Sequence, residues 1–373
     1  MNSLDSSRIV KLYRRIGFIT CSSVFLLFLL GGLVRATGSG MGCPDWPKCF
    51  GLIAPPTCEC QLPGNYQEIF QAKRHKKVEK FLKTLRAVGL SERADKIAAD
   101  KNLYIQDKFD PVKAWIEYIN RLFGVLSGLL AVAFLFLSFK NRTLKPTRFW
   151  ALIGFILLIL NAWLGSIVVA TNLLPGIVSL HFLLSFLCLF AFILSVHQVS
   201  PIMKFHDQGS KTKWRILFWI IFVEVILGTW SREQVDSLKG SSLLYLEGDS
   251  NGMLNYVGMD WLFMVHRFVP GAILVYSFWE FWKSRKLSGA NPSNLSNPSN
   301  LSNLPNPSNP SNPNTTTSPW FILFILSLLQ ICLGAIHIVY VVPAWTQIAH
   351  VVFGSALLTY SYLVYISYKK ESS

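Results

Sequence analysis

Apolar residues fall into eight runs along the chain, with the charges gathered between them. The runs cover 16–34, 117–139, 148–170, 176–198, 214–231, 260–282, 319–342 and 345–367. Crossing a hydrocarbon core takes roughly 20 residues of helix, so the pattern predicts an all-α membrane protein of eight transmembrane helices. Arg8, Lys11, Arg14 and Arg15 precede the first run, as they would a signal peptide. That run is too long for a signal h-region and no A-x-A site follows it, so it is read as a membrane helix. Residues 66–110 mix charges with spaced apolar positions and predict one or two short amphipathic helices, a solvated cap on the outer face. The stretch 290–318, "ANPSNLSNPSNLSNLPNPSNPSNPNTTTS", has no apolar face to bury and predicts a disordered linker.

The pattern repeats. Run 3 into run 4 reads "LNAWLGSIVVATNLLPGIVSLH", and run 7 into run 8 reads "LQICLGAIHIVYVVPAWTQIAH". Gly165 precedes His181 by 16 residues, and Gly334 precedes His350 by the same 16. Asn161 falls opposite Gln330. Leu30-Gly31 before Arg35 matches Leu227-Gly228 before Arg232, and Asn120-Arg121 matches His266-Arg267. Runs 1–4 and 5–8 therefore predict two pseudo-symmetric four-helix bundles. They form a parallel repeat, because four crossings return the chain to its starting side. The predicted units are 1–200, with a long outer loop at 35–115, and 201–289 with 319–373.

Only 15% of residues are charged and 51% are hydrophobic, which excludes an ordinary soluble protein. The net charge of +15 would suggest nucleic acid in a soluble chain. Here the cations sit in short loops: Lys140, Arg142, Lys145 and Arg148; Lys204, Lys211, Lys213 and Arg215; Lys283, Arg285 and Lys286. Lys369 and Lys370 follow run 8. The alternate loops differ, with no charge in 171–175 and five acidic against two basic residues in 232–260. By the positive-inside rule both termini are cytoplasmic, and no nucleic-acid partner is expected.

Polar groups inside a bilayer are costly and need a partner or a task. His181, His266 and His350 each lie about five residues, roughly 8 Å, inside the outer end of an even-numbered helix. Helix 2 has Asn120 at that place. Histidines facing each other across a bundle can supply both axial ligands of a haem. The second half has such a pair in His266 and His350; the first has only His181, opposite Asn120. His337 lacks a counterpart in the repeat and is read as a packing residue. Glu117 shares a helix face with Asn120. It reads either as a carboxylate acting in the same cavity or as an interfacial group paired with Arg121. Arg35, Arg121, Arg232 and Arg267 stand at the outer helix ends, where guanidinium forks suit haem propionates; snorkelling to the lipid surface is the alternative.

The stretch "VRATGSGMGCPDWPKCFG" puts Cys43 and Cys49 on the outer face, stiffened by Pro44 and Pro47, with Cys58 and Cys60 following. Four cysteines allow three pairings. A Cys43–Cys49 disulfide clamping a lid is placed first, ahead of a redox-active pair and a zinc site.

"GGLVRATGSGMGCPDWPKCFG", "EYINRLFG", the "LG…P…H" units and the "VHR" of run 6 together resemble the haem A synthase family. The resemblance covers nearly the whole chain apart from the linker. It implies oxidation of the C8 methyl of haem O to a formyl group, by two hydroxylations and loss of water from a gem-diol, with water as the oxygen source. It implies a haem b cofactor on His266 and His350 of the C-terminal bundle. The substrate haem would lie in the N-terminal bundle at His181, Asn120, Arg35 and Arg121, with Glu117 as the catalytic carboxylate. The family's helix-2 motif is Glu-x-x-His; here Asn120 replaces the histidine, which leaves the substrate iron an open side. The resemblance further implies a bacterial inner membrane, a haem O synthase, an electron-transfer partner and a role in cytochrome oxidase biogenesis. A homo-oligomer is compatible with it. The rival readings are a membrane cytochrome b and a non-catalytic haem-handling assembly factor.

Overall fold

The structure, a computed structural model, describes residues 3–99, 108–170, 176–199, 202–203, 208–240, 261–289, 318–339 and 343–368. The predicted linker, apart from Ser318, lies outside them, as do the uncharged loop 171–175, most of 232–260, Lys204, Lys369 and Lys370. The regular elements among the described residues are helices, with no strand among them.

The helices in order are α1 (Ser3–Ala36), α2 (Tyr66–Ala87), α3 (Ser91–Ala98), α4 (Pro111–Phe139), α5 (Arg148–Ala170), α6 (Ile177–Val199), α7 (Gln208–Gly240), α8 (Trp261–Gly289), α9 (Pro319–Val339) and α10 (Ala344–Ser367). Eight of them, all but α2 and α3, are long and apolar enough to cross a membrane. The helices outrun several predicted runs, because polar termini continue the same hydrogen-bonded turns. Thus α1 extends back through Arg15, Arg14 and Lys11. In α4, Pro111 starts the helix and the Asp110 carboxylate accepts from the main-chain N–H groups of Val112 (2.9 Å) and Lys113 (3.2 Å), an N-cap that satisfies two donors without an intrahelical partner. The amphipathic cap expected over 66–110 is the α2–α3 hairpin.

Within the first ring α1 packs on α4, α4 on α5, α5 on α6 and α6 on α1; in the second, α7 packs on α8, α8 on α9, α9 on α10 and α10 on α7. Helices α4 and α6 thus stand diagonally, as do α8 and α10. The rings meet along two seams, α1 with α10 and α6 with α7. The α6–α7 seam is aromatic toward the basic-loop end, where Phe190 meets Phe218 and Phe222, and polar toward the other. The Ser179 hydroxyl donates to Glu233 (2.8 Å) and lies 2.9 Å from the Thr229 hydroxyl, and Glu233 also accepts from the Gly176 N–H (3.0 Å) at the start of α6. The α1–α10 seam is apolar: Gly32 faces Ile348 and Val351 at van der Waals distance.

The two ends of the rings differ. The buried residues of α6 run from Phe186 to Val196, and those of α10 from Gly354 to Ser367 with Thr346 apart. These lie toward the end that bears the short basic loops. Aromatic side chains fill that end; Trp214 stacks on Trp320 (4.4 Å between ring centres), Tyr13 on Phe134 (4.4 Å) and Phe190 on Tyr362 (4.3 Å). The opposite end, the loop face, is covered by residues 37–99 and 108–110, and the packing around His181 and His350 there is looser. Large apolar side chains such as Leu129, Val132, Phe136 and Val275 point outward, as a lipid-facing surface requires.

Candidate functional site

Three histidines occupy equivalent seats near the loop face. His181 on α6 lies against Gly165 of α5, His266 on α8 against Gly228 of α7, and His350 on α10 against Gly334 of α9. A Cβ placed on these glycines would come within 3.1, 2.9 and 3.5 Å of the respective imidazole Cε1. Each glycine thus leaves room for the Cε1 corner of a ring. At the fourth equivalent position, Gly31 of α1, a Cβ would meet nothing within 4 Å, and α4 has Asn120 in place of a histidine.

The residue one turn before each glycine completes the seat. The main-chain carbonyl of Asn161 lies against the His181 ring, and that of Gln330 against His350, in both cases outside hydrogen-bond alignment. Asn161 also donates to Ser185 (2.6 Å). In the repeat Ser185 matches Gly354, and there the longer Gln330 side chain takes up the room, its Nε2 close over Gly354. At the third seat the turn before Gly228 carries Glu224, and its carboxylate stands 2.5 Å from His266 Nδ1. Nothing in the local pattern around Glu224 points to His266, which lies 42 positions further along the chain.

His266 and His350 face each other across the second ring, their ring centres 6.4 Å apart and their planes 85° apart. An iron bonded to one nitrogen of each ring needs about 6 Å between ring centres, from bonds of roughly 2 Å on either side. The pair fits a bis-histidine haem. His337 does not enter it: its ring centre is 5.2 Å from that of His350, too close to admit an iron, and its Nε2 is 3.0 Å from the Thr346 hydroxyl. Pro270, one turn beyond His266, lacks an N–H, so the His266 carbonyl loses its usual helical donor.

The outer loop is fastened to α4. Cys43 and Cys49 are joined by a disulfide, and Cys58 and Cys60 by another; among the described residues no group of three His, Cys, Asp or Glu could hold a metal, so the zinc reading falls. Phe50 and Gly51 both take positive φ (54° and 81°) in the tight turn closed by the Cys49–Leu52 bridge. The turn drives the Phe50 ring among Tyr66, Phe70 and Phe109, which makes a small core for the lid. Gly42 runs so close to α4 that a Cβ would be 2.5 Å from the Lys113 main chain. This approach lets the Cys43 N–H donate to Glu117 Oε2 (2.8 Å).

Glu117 is 2% exposed and is also paired with Arg121, which donates to its Oε1. The same guanidinium donates to the carbonyls of Cys43 (2.8 Å), Asp45 and Lys48 (3.4 Å). Arg121, expected at a propionate, is therefore committed to the loop. Glu117 does share a face with Asn120, but its carboxylate reaches the loop rather than standing free in the cavity. Sequence spacing could pair Glu117 with Arg121; it could not bring residues 43–48 onto them. Arg35 ends α1, Arg232 is half-buried on α7, and the exposed Arg267 lies over the Phe263 ring at 5.6 Å.

Two rings of transmembrane helices, one with a facing histidine pair and the other with one histidine at the equivalent seats, define an integral multi-pass membrane protein with a centre suited to haem iron. The chain belongs to the cytochrome oxidase assembly protein family COX15-CtaA, whose model matches residues 14–85 and 90–297, well over half of its length. Among curated proteins it resembles the heme A synthase of Shewanella oneidensis, 24% identical over 62% of this chain and 60% of the relative. It also resembles the heme A synthases of Bacillus licheniformis (25% identical, 72% of this chain, 73% of the relative) and Bacillus pumilus (23%, 72% and 74%). The chain thus spans about three-fifths to three-quarters of the length of these relatives.

Proposed function

We propose that this protein is an oxidoreductase that converts haem O to haem A by oxidising the C8 methyl to a formyl group, in the service of cytochrome oxidase assembly. The observation that carries the reading is the His266–His350 pair, spaced for an iron, beside a first ring whose equivalent seats hold one histidine and one asparagine. In this reading residues 201–289 and 319–373 hold haem b, and residues 1–200 hold the substrate. The short basic loops face the cytoplasm, with both termini, and the loop face looks out of a bacterial inner membrane. A haem O synthase supplies the substrate and an electron-transfer partner takes the electrons.

Bound haem b supplies a one-electron relay. His266 and His350 would hold it, and the apolar ring excludes water. His181 ligates and orients the substrate haem from α6. Asn120 is a poor iron ligand, so the opposite side of the substrate stays open. Arg35, Arg232 and Arg267 lie toward the loop face, where a propionate would meet a guanidinium fork. Glu117 accepts from Arg121 and from the Cys43 N–H, yet a carboxylate has about four acceptor sites. It retains capacity to take the proton released as the methyl is oxidised. The Cys43–Cys49 loop closes the substrate site against water.

The test is to express the full chain with a haem O source, extract the haem and separate haem O, hydroxylated intermediates and haem A. Haem A in the wild type and its loss in His181→Ala are expected. Haem O alone from wild-type protein that contains low-spin haem b would overturn the assignment.

A further inference from the structure

We infer that Glu224 is a positioning residue for haem b, its carboxylate holding the Nδ1 edge of His266 so that Nε2 is presented to the iron. The inference rests on His266 and His350 being the haem ligands.

Glu224 precedes Gly228 by one helical turn, so both face α8 from the same side of α7. Gly228 makes room for the Cε1 corner of the imidazole and Glu224 meets its Nδ1 edge, with Oε1 2.5 Å from Nδ1. The carboxylate is 7% exposed, and neither of its oxygens has a hydrogen-bond partner among the described residues; nor does His266 Nδ1. Burying an ionisable group in a membrane helix bundle without compensation is costly. The group that can compensate this one is the imidazole beside it. A small turn of the His266 ring converts the close but misaligned contact into an Nδ1–H···Oε1 hydrogen bond.

The repeat strengthens the argument. The positions matching Glu224 are Asn161, Gln330 and Leu27. Asn161 and Gln330 offer the rings of His181 and His350 a neutral main-chain carbonyl. Leu27 stands in the seat that has lost its histidine to Asn120. A polar residue therefore accompanies each histidine, and only His266 receives a carboxylate. A carboxylate on the far nitrogen fixes the tautomer and the ring angle of a metal-bound histidine, and makes it a stronger donor. A stronger donor favours ferric over ferrous iron, so Glu224 lowers the potential of haem b.

The experiment compares purified full-length wild type, Glu224→Gln, Glu224→Leu and His266→Ala, each expressed with haem b available. Readouts are haem content, the low-spin ferric signal in electron paramagnetic resonance, the midpoint potential, and the rate of haem loss to apomyoglobin. Glu224→Gln keeps the shape of the site and should retain low-spin haem. Its ratio of ferric to ferrous affinity should fall by about tenfold, a rise of about 59 mV for one electron. Glu224→Leu should lose haem roughly ten times faster than wild type. Wild-type potential and resonance signal in Glu224→Gln, with haem absent from His266→Ala, would overturn the inference and leave the ligand assignment standing. Unchanged low-spin haem in His266→Ala would overturn both. The Gln variant leaves the site filled, so misfolding of the Leu variant does not remove the test.

Discussion

Gly228→Ala should damage the haem b site more than the same change at any equivalent glycine. The new Cβ would lie 2.9 Å from His266 Cε1, 3.4 Å from Nε2 and 3.5 Å from Nδ1. Carbon atoms pack at about 3.5–4.0 Å, so the ring must retreat by roughly 0.6 Å or more. A free side chain could do so; under the proposed assignment, a ring bonded to iron on one side and held at Glu224 on the other could not. Overpacking of this kind costs about 1–3 kcal/mol, or roughly 5- to 150-fold in haem affinity. The backbone gain from replacing a helical glycine with alanine, up to ~1 kcal/mol, is common to the whole series. The comparison therefore isolates the contact. Gly334→Ala puts its Cβ an ordinary 3.5 Å from His350 and should keep wild-type haem; Gly31→Ala meets nothing within 4 Å and should be neutral. Gly165→Ala, at 3.1 Å from His181, should leave haem b intact and weaken the substrate site. Haem per protein after purification, with the low-spin Soret band, reads the series. Full haem in Gly228→Ala, or equal loss in Gly334→Ala, would refute the reading of these glycines as ring seats.

Replacing either His266 or His350 by Ala should abolish the low-spin b-type spectrum; wild-type haem content in both variants would reject the pair as ligands. Thiol labelling under denaturing conditions should find three cysteines (Cys21, Cys188 and Cys332) before reduction and all seven after it, and labelled Cys43 and Cys49 without reductant would contradict the loop disulfide. Glu117→Gln should lower haem A yield by about 10²- to 10⁴-fold, the usual worth of a general base, while haem b stays bound. Normal yield would reduce Glu117 to a fastening for the loop.

The eight helices and the doubling were legible because a bilayer demands long apolar runs and the repeat preserves spacing. Gly165 to His181 and Gly334 to His350 keep 16 residues because each pair of helices is joined by a short loop. Gly228 and His266 form the same contact, but a longer loop separates them, so linear spacing concealed the third seat. Glu224 was hidden with it. The Glu117–Arg121 pair shows the converse limit. Its i,i+4 spacing was visible, yet both residues take their function from a loop about 75 positions away whose path depends on Gly42, the Phe50–Gly51 turn and the α2 core. Cysteine pairing was open among three arrangements for the same reason.

The two seams bear on how the halves came to share one chain. Under the repeat, Ser179 of α6 matches Ile348 of α10, and Thr229 and Glu233 of α7 match Gly32 and Ala36 of α1. The seams are thus the same joint made twice, once with hydroxyls and a carboxylate and once with apolar surface. A pair of identical, separate four-helix units could not be built so, since any substitution at the joint would occur on both sides of the dyad. Tandem fusion lifts that restriction and lets each joint drift alone. A consequence follows for pairing. Two copies of the first half would set Ser179 of one against Gly32 of the other, at both joints, and two copies of the second would bury Glu233 against Ile348. Each half has thus become fitted to the other at these two joints.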